Sequence, residues 1–124
     1  MRLQESGEMY LESLLVLSQK SSNVHAIDIC EYRGVSKPSV SRAVGLLKEG
    51  GYIDVSNDGS LTLTEEGYRV ASKIYERHTV LSELLTRIGV RAETADEDAC
   101  RIEHVISDET FDVIKEFMQN HPEN

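Results

Sequence analysis

Gly34-Val35-Ser36-Lys37-Pro38-Ser39-Val40-Ser41-Arg42-Ala43-Val44-Gly45-Leu46-Leu47-Lys48 reads as a turn followed by an amphipathic helix. Gly34-Val35 turns the chain, and Ser36 or Lys37 caps the helix that follows. Pro38 falls in its first turn, where a missing N–H costs nothing. Val40, Val44, Leu46 and Leu47 supply a buried stripe, which leaves Lys37, Ser39, Ser41, Arg42 and Gly45 outward. A short helix, a glycine-containing turn and a helix with hydroxyl and guanidinium groups outward make the helix-turn-helix pattern, whose second helix lies in the major groove of DNA. Ser36, Pro38, Ser39, Ser41 and Arg42 are the expected contacts to base edges or thymine methyls, with Lys37 and Lys48 nearer phosphate.

The flanks fit this reading. Upstream, Met9, Leu11, Leu14, Leu15 and Leu17 recur at helical spacing between Glu5 and Lys20, and a second short helix is expected over Val24 to Tyr32. Downstream, Gly50-Gly51-Tyr52-Ile53-Asp54-Val55, Asn57-Asp58-Gly59 and Ser60-Leu61-Thr62-Leu63 read as two short strands around a turn. The expected fold is therefore mainly α with a small β-wing, a winged helix-turn-helix domain over residues 1–72.

Thr64-Glu65-Glu66 opens a long helix by capping chemistry, with carboxylates where the helix dipole favours them. Val70, Ile74, Val80, Leu81, Leu84, Leu85 and Ile88 carry its apolar face to a stop at Gly89. A helix through Asp96 to Ser107 and a last one from Asp108, with Phe111, Ile114, Phe117 and Met118 inward, complete a helical dimerisation and metal-binding domain over 73–124. Two short helices on the end of a long one have little core, so Leu81, Leu84, Leu85 and Ile88 call for a second copy and a twofold homodimer.

The net charge of −9 over 124 residues opposes a nucleic-acid partner when taken whole. Its distribution reverses the argument: from Arg33 to Lys48 the charged residues Arg33, Lys37, Arg42 and Lys48 face no acid in sequence, whereas acids dominate beyond Glu83. A basic reading end thus accompanies an acidic end suited to cations. The start Met1-Arg2-Leu3-Gln4-Glu5 lacks a signal-peptide pattern and no apolar run reaches membrane length, so the expected location is cytoplasmic, with no membrane partner. Cys30 and Cys100 are too few for a disulfide framework. Cys30 is expected in the core, while Cys100 is available to a metal.

The cation end is sharpest at Asp98-Ala99-Cys100-Arg101-Ile102-Glu103-His104. Read as a helix, this stretch sets Cys100, Glu103 and His104 at i, i+3 and i+4, so a thiolate, a carboxylate and an imidazole share one face. That mixture suits a divalent first-row transition metal better than calcium or magnesium. Met9 and Glu12, also i and i+3, offer a soft and a hard ligand from the first helix, although ordinary core packing is the simpler account of Met9 alone. His25 and His121 are expected in solvated roles, and Glu93, Asp96, Glu97 and Asp98 as an exposed acidic helix start. No nucleophile and base pair or phosphate loop stands out, so an enzyme is not expected.

These residues together resemble the iron- and manganese-dependent repressors of the diphtheria toxin repressor type. The resemblance is carried by Glu8-Met9-Tyr10-Leu11, Ser36-Lys37-Pro38-Ser39-Val40-Ser41, Leu61-Thr62-Leu63-Thr64-Glu65-Glu66-Gly67, Arg77-His78 and Glu97-Asp98-Ala99-Cys100-Arg101-Ile102-Glu103-His104-Val105. It implies a homodimeric transcriptional repressor that takes a divalent metal between its two domains and grips a pseudopalindromic double-stranded operator of metal-homeostasis genes. Met9, Cys100, Glu103 and His104 match the principal site of the iron-type branch, and His78 matches a histidine of its second site. Ser82 and Asp96 stand where that branch has a carboxylate and a histidine. Glu12 matches a ligand of the manganese branch, which has aspartate at Met9 and glutamate at Cys100. The chain resembles a hybrid of the two, in a short form without the SH3-like domain. Its softer ligands imply Fe(II) first and Mn(II) second. Two other readings stay open: a winged-helix regulator with a structural metal or small-ligand site, and a metal-buffering or interaction protein.

Overall fold

A computed structural model describes residues 5–122. Six helices and two strands run in the order α1 (Glu5–Lys20), α2 (Ala26–Arg33), α3 (Lys37–Glu49), β1 (Ile53–Val55), β2 (Leu61–Leu63), α4 (Glu65–Arg87), α5 (Ala92–Ile102) and α6 (Asp108–Asn120). The fold is thus mainly helical with one small antiparallel sheet. Two compact units divide the chain between Ser72 and Lys73, within α4.

The first unit is built on one apolar cluster. Leu11 and Leu14 of α1, Ile29 and Cys30 of α2, Val40 and Leu47 of α3, Ile53 and Leu61 of the strands and Ala71 of α4 are all buried in it. Gly34 closes α2 in the left-handed region at φ 68°, donating its N–H to the Cys30 carbonyl, which is the tight turn that a Cβ would strain. The Ser36 side chain caps α3 by accepting from the Ser39 N–H, and Pro38 sits in the first turn. In the wing, Ile53 pairs with Leu63 and Val55 with Leu61. The Thr64 hydroxyl accepts from the Gly67 N–H to start α4. Gly67 is obligatory there, since a Cβ would lie 1.9 Å from the Tyr52 carbonyl oxygen.

Three expectations need correction. Val24 does not begin α2; it forms an isolated bridge with Leu61, adding an edge to the wing sheet, because its β-branched side chain is buried there. Leu46 is 59% exposed rather than buried, since one helical face has room for Leu47 but not for its neighbour 100° around the helix. Arg33 turns inward.

In the second unit Ile74, Leu81, Ala95, Ala99, Phe111 and Met118 are buried, together with the charged Arg77 and Glu103. Phe117 is 52% exposed, against the inward position expected from its spacing, and it stacks on His121 at a centroid distance of 4.2 Å. Ile88, Val105 and Val113 are exposed as well. Among the described residues no helix is long and apolar enough to cross a membrane.

Candidate metal centre and nucleic-acid interface

Helix α5 ends two residues short of His104, the last ligand of the helical pattern. Its last helical residue is Ile102, Glu103 is the C-cap, and His104 lies in the turn beyond. The turn is held tightly enough that the residues still converge: the Glu103 N–H donates to the Ala99 carbonyl, and both Val105 and Ile106 donate to that of Ile102. One ligand atom each from Cys100, Glu103 and His104 lies within 4.8 Å of the others. Convergence therefore comes from a turn wrapped over the helix end, not from a continuous helical face.

Arg77 of α4 fixes that turn from beneath. The residue is 6% exposed, and its guanidinium donates to the Glu103 carbonyl at 3.2 Å, to the Ile106 carbonyl at 2.7 Å and to the Asp108 carboxylate. It also stacks over Phe111 at 5.3 Å. Lys73 adds a second cation to Asp108 at 3.1 Å, and these two bases hold the Asp108 carboxyl below its ordinary range, Lys73 acting most strongly. Nothing in the local pattern marked Arg77 as buried; only its place in Arg77-His78 pointed to it.

The Glu103 carboxylate is the buried charge at the centre. The residue has no exposed surface. One of its oxygens, Oε2, faces His78 Nδ1 at 2.8 Å; the other, Oε1, accepts no hydrogen bond among the described residues and has His104 Nε2 at 3.4 Å. A carboxylate shielded from solvent and short of donors carries a large desolvation penalty, which a cation beside it offsets. Sulfur, imidazole and carboxylate donors around it are the set that a divalent transition metal takes. The far ring nitrogen of His78, Nε2, lies 2.7 Å from Asp96 Oδ1. Asp96 is thus no idle member of an acidic helix start: it faces His78, a contact between α4 and α5 that spacing within either helix does not reveal.

Glu12 and Met9 belong to the first unit. Glu12 is 4% exposed and ion-paired with Arg33 at 3.3 Å; Arg33 also donates to the Ser13 hydroxyl at 2.5 Å. The Arg33 charge is consequently spent on α1 and withdrawn from the basic surface expected over 33–48. Met9 is half-buried against the apolar cluster. On α3 and its cap, Ser36, Lys37, Pro38, Ser41, Arg42 and Lys48 are exposed and Ser39 is half-buried. The Ser36 and Ser39 hydroxyls bond one another at 2.8 Å, so the cap occupies both. His25 is not simply solvated, since its Nε2 lies 3.1 Å from the Asp58 carbonyl and ties α2 to the wing turn.

Comparison with known proteins resolves what this arrangement belongs to. The iron dependent repressor N-terminal DNA binding domain matches residues 2–61, and the iron dependent repressor metal binding and dimerisation domain matches residues 64–124. The transcriptional regulator MntR of Escherichia coli is 32% identical over 112 residues, which are 90% of this chain and 72% of that protein. The chain belongs to the family of metal-dependent transcriptional repressors. The diphtheria toxin repressor of Corynebacterium glutamicum is 35% identical over 86% of the chain and 47% of its own length. A manganese-dependent transcriptional repressor solved in complex with manganese has the same fold, with a TM-score of 0.84 at 27% identity over 91% of the chain. The chain spans about half, 52%, of the length of that solved repressor. As in the other members, a winged helix precedes a metal-binding and dimerisation domain.

Proposed function

We propose that this chain is a homodimeric repressor that binds a pseudopalindromic DNA operator of metal-homeostasis genes when loaded with a divalent metal, Fe(II) first and Mn(II) second. The observation that carries the reading is the fully buried Glu103 carboxylate with one oxygen short of donors, set among Cys100, His104 and His78. Cys100, Glu103, His104 and His78 would hold the ion, with Met9 and Glu12 contributing from α1. The sulfur donors favour Fe(II) over Mn(II). When bound, the metal supplies positive charge that a cluster containing a buried carboxylate lacks.

Coupling follows from where the ligands sit in the chain. Met9 and Glu12 lie on the first helix of the DNA-binding unit, and the others lie in the second unit, so ligands shared across the two make metal affinity and DNA affinity interdependent. In the first unit, the exposed Ser41 and Arg42 reach base edges, Lys37 and Lys48 bind phosphate, and Pro38 offers an apolar contact to a thymine methyl. Ser36 and Ser39 cap the helix and present the same hydroxyls at its N-terminus. Of the α4 residues expected to need a second copy, Leu81 is buried within its own unit and Ile88 is exposed; Ile88, with the exposed Val105, Val113 and Phe117, would meet the second copy. Reading chromosomal DNA places the protein in the cytoplasm.

Selection of DNA from a random pool under anaerobic conditions, with Fe(II), with Mn(II) and with chelator, tests this. Enrichment of a twofold-symmetric sequence with metal, and its loss with chelator, is expected. Equal enrichment with chelator contradicts the metal dependence, and no enrichment at all contradicts the DNA-binding role.

A further inference from the structure

We propose that Asp96 is a positioning residue that fixes which nitrogen of His78 is offered to the metal. The inference rests on the reading of His78 as a ligand. The ring spans from a buried end to an open one. Nδ1 faces the fully buried Glu103 at 2.8 Å, whereas Nε2 faces Asp96, whose side chain is 69% exposed, at 2.7 Å. The two nitrogens point in different directions from one planar ring, so the carboxylate at Nε2 acts on the ring from the side away from Glu103.

A ligating imidazole carries its single proton on the nitrogen that does not bind the metal. A carboxylate accepting that N–H selects the tautomer, locks the ring's rotation and raises the basicity of the ligating nitrogen. Asp96 meets each requirement, because it keeps the proton on Nε2 and leaves the Nδ1 lone pair directed at the Glu103 carboxylate. It stands one helical turn before Cys100 on α5, so the helix that delivers the thiolate also delivers the group that orients the histidine of α4. Where the iron-type pattern has a histidine, this chain thus places an orienting carboxylate.

The test uses the full chain loaded with zinc(II), a diamagnetic probe, and reads both zinc affinity by chelator competition and the 15N and 13C ring shifts of His78. Wild-type protein should show metal on Nδ1 and a proton on Nε2. Asp96→Ala should weaken zinc binding about 10- to 100-fold and give a mixed ring signature. Asp96→Asn keeps an oxygen that accepts from Nε2–H but loses the charge that raises the basicity of Nδ1, so it should weaken binding less than Asp96→Ala. His78→Ala should weaken binding at least as much as Asp96→Ala. Unchanged affinity in Asp96→Ala beside a weakened His78→Ala overturns the positioning role alone, whereas unchanged affinity in His78→Ala overturns the ligand reading with it. Metal on Nε2 in the wild type overturns the proposal without relying on the alanine variant to fold, and Asp96→Asn as damaging as a folded Asp96→Ala overturns it too.

Discussion

Up to Ser72 the buried interior is an apolar cluster in which Leu11, Leu14 and Val40 are at most 1% exposed. From Lys73 onward the buried set is smaller, includes Arg77 and Glu103, and leaves Ile88, Val105, Val113 and Phe117 in solvent. Both units bury a carboxylate and leave large apolar side chains exposed, but Glu12 of the first is paired with Arg33, whereas one oxygen of Glu103 in the second accepts no hydrogen bond among the described residues, a deficit that a cation offsets. Stability and function are thus distributed unequally. The first unit satisfies its buried carboxylate from within, and the second leaves an oxygen that a cation would satisfy.

Substitutions in the two units should have different consequences. Leu14→Ala in the first unit should cost about 3 kcal/mol, by lost burial and the cavity left behind, equally with and without metal. Thermal unfolding in chelator and in Mn(II) checks it; a cost that metal removes would deny the first unit its independence. The double change Val113→Asp with Phe117→Asp, one turn apart on α6, should raise the dimer dissociation constant about 100-fold and leave the wing folded, as sedimentation and circular dichroism would show. An unchanged dimer would move the interface elsewhere. Arg42→Ala should cost about 1–2 kcal/mol of specific DNA affinity and relax selectivity at one base, while Lys48→Ala should lower the salt slope by about one. Binding measured across salt concentrations separates the two.

The smallest effect concerns the wing turn. Hydrogen bonds from the Ser56 hydroxyl first, then from the Ser60 backbone and side chain, hold the Asp58 carboxyl down at about 2 against an ordinary 3.8. A depressed carboxyl contributes stability that is present above the unfolded value and lost as pH falls through about 2. Ser56→Ala should move the Asp58 titration back up toward 3.8, visible by NMR, with little change in the fold at neutral pH. A titration that stays put would assign the effect to Ser60.

What could be read from the residues follows the range of the interactions involved. Helix caps at Ser36 and Thr64, the Gly34 turn and the strand pairing are set by neighbours in sequence, and they stand as the pattern predicts. Leu46 against Leu47, or Phe117 against Met118, is decided by what packs opposite, which periodicity alone does not encode. Cys100, Glu103 and His104 were legible as a group, but the end of α5 at Ile102 was not, because neither glycine nor proline marks it. Arg77, Asp96 and the inward turn of Arg33 escaped for a common reason. A charged residue is read as solvated until the fold supplies its partner, and those partners lie 18 residues or more away, as His78 does for Asp96 and Glu12 for Arg33.

The proposed metal site depends on the turn that closes α5. Anaerobic titration with cobalt(II), followed by absorption in wild type, Cys100→Ser and Glu103→Gln, tests it most directly. A thiolate-to-cobalt charge-transfer band should saturate in the wild type, disappear in Cys100→Ser, and in Glu103→Gln require at least about 100-fold more cobalt, beyond the effect of losing an outer partner. A wild type with no such band, or a band that survives Cys100→Ser, would contradict it.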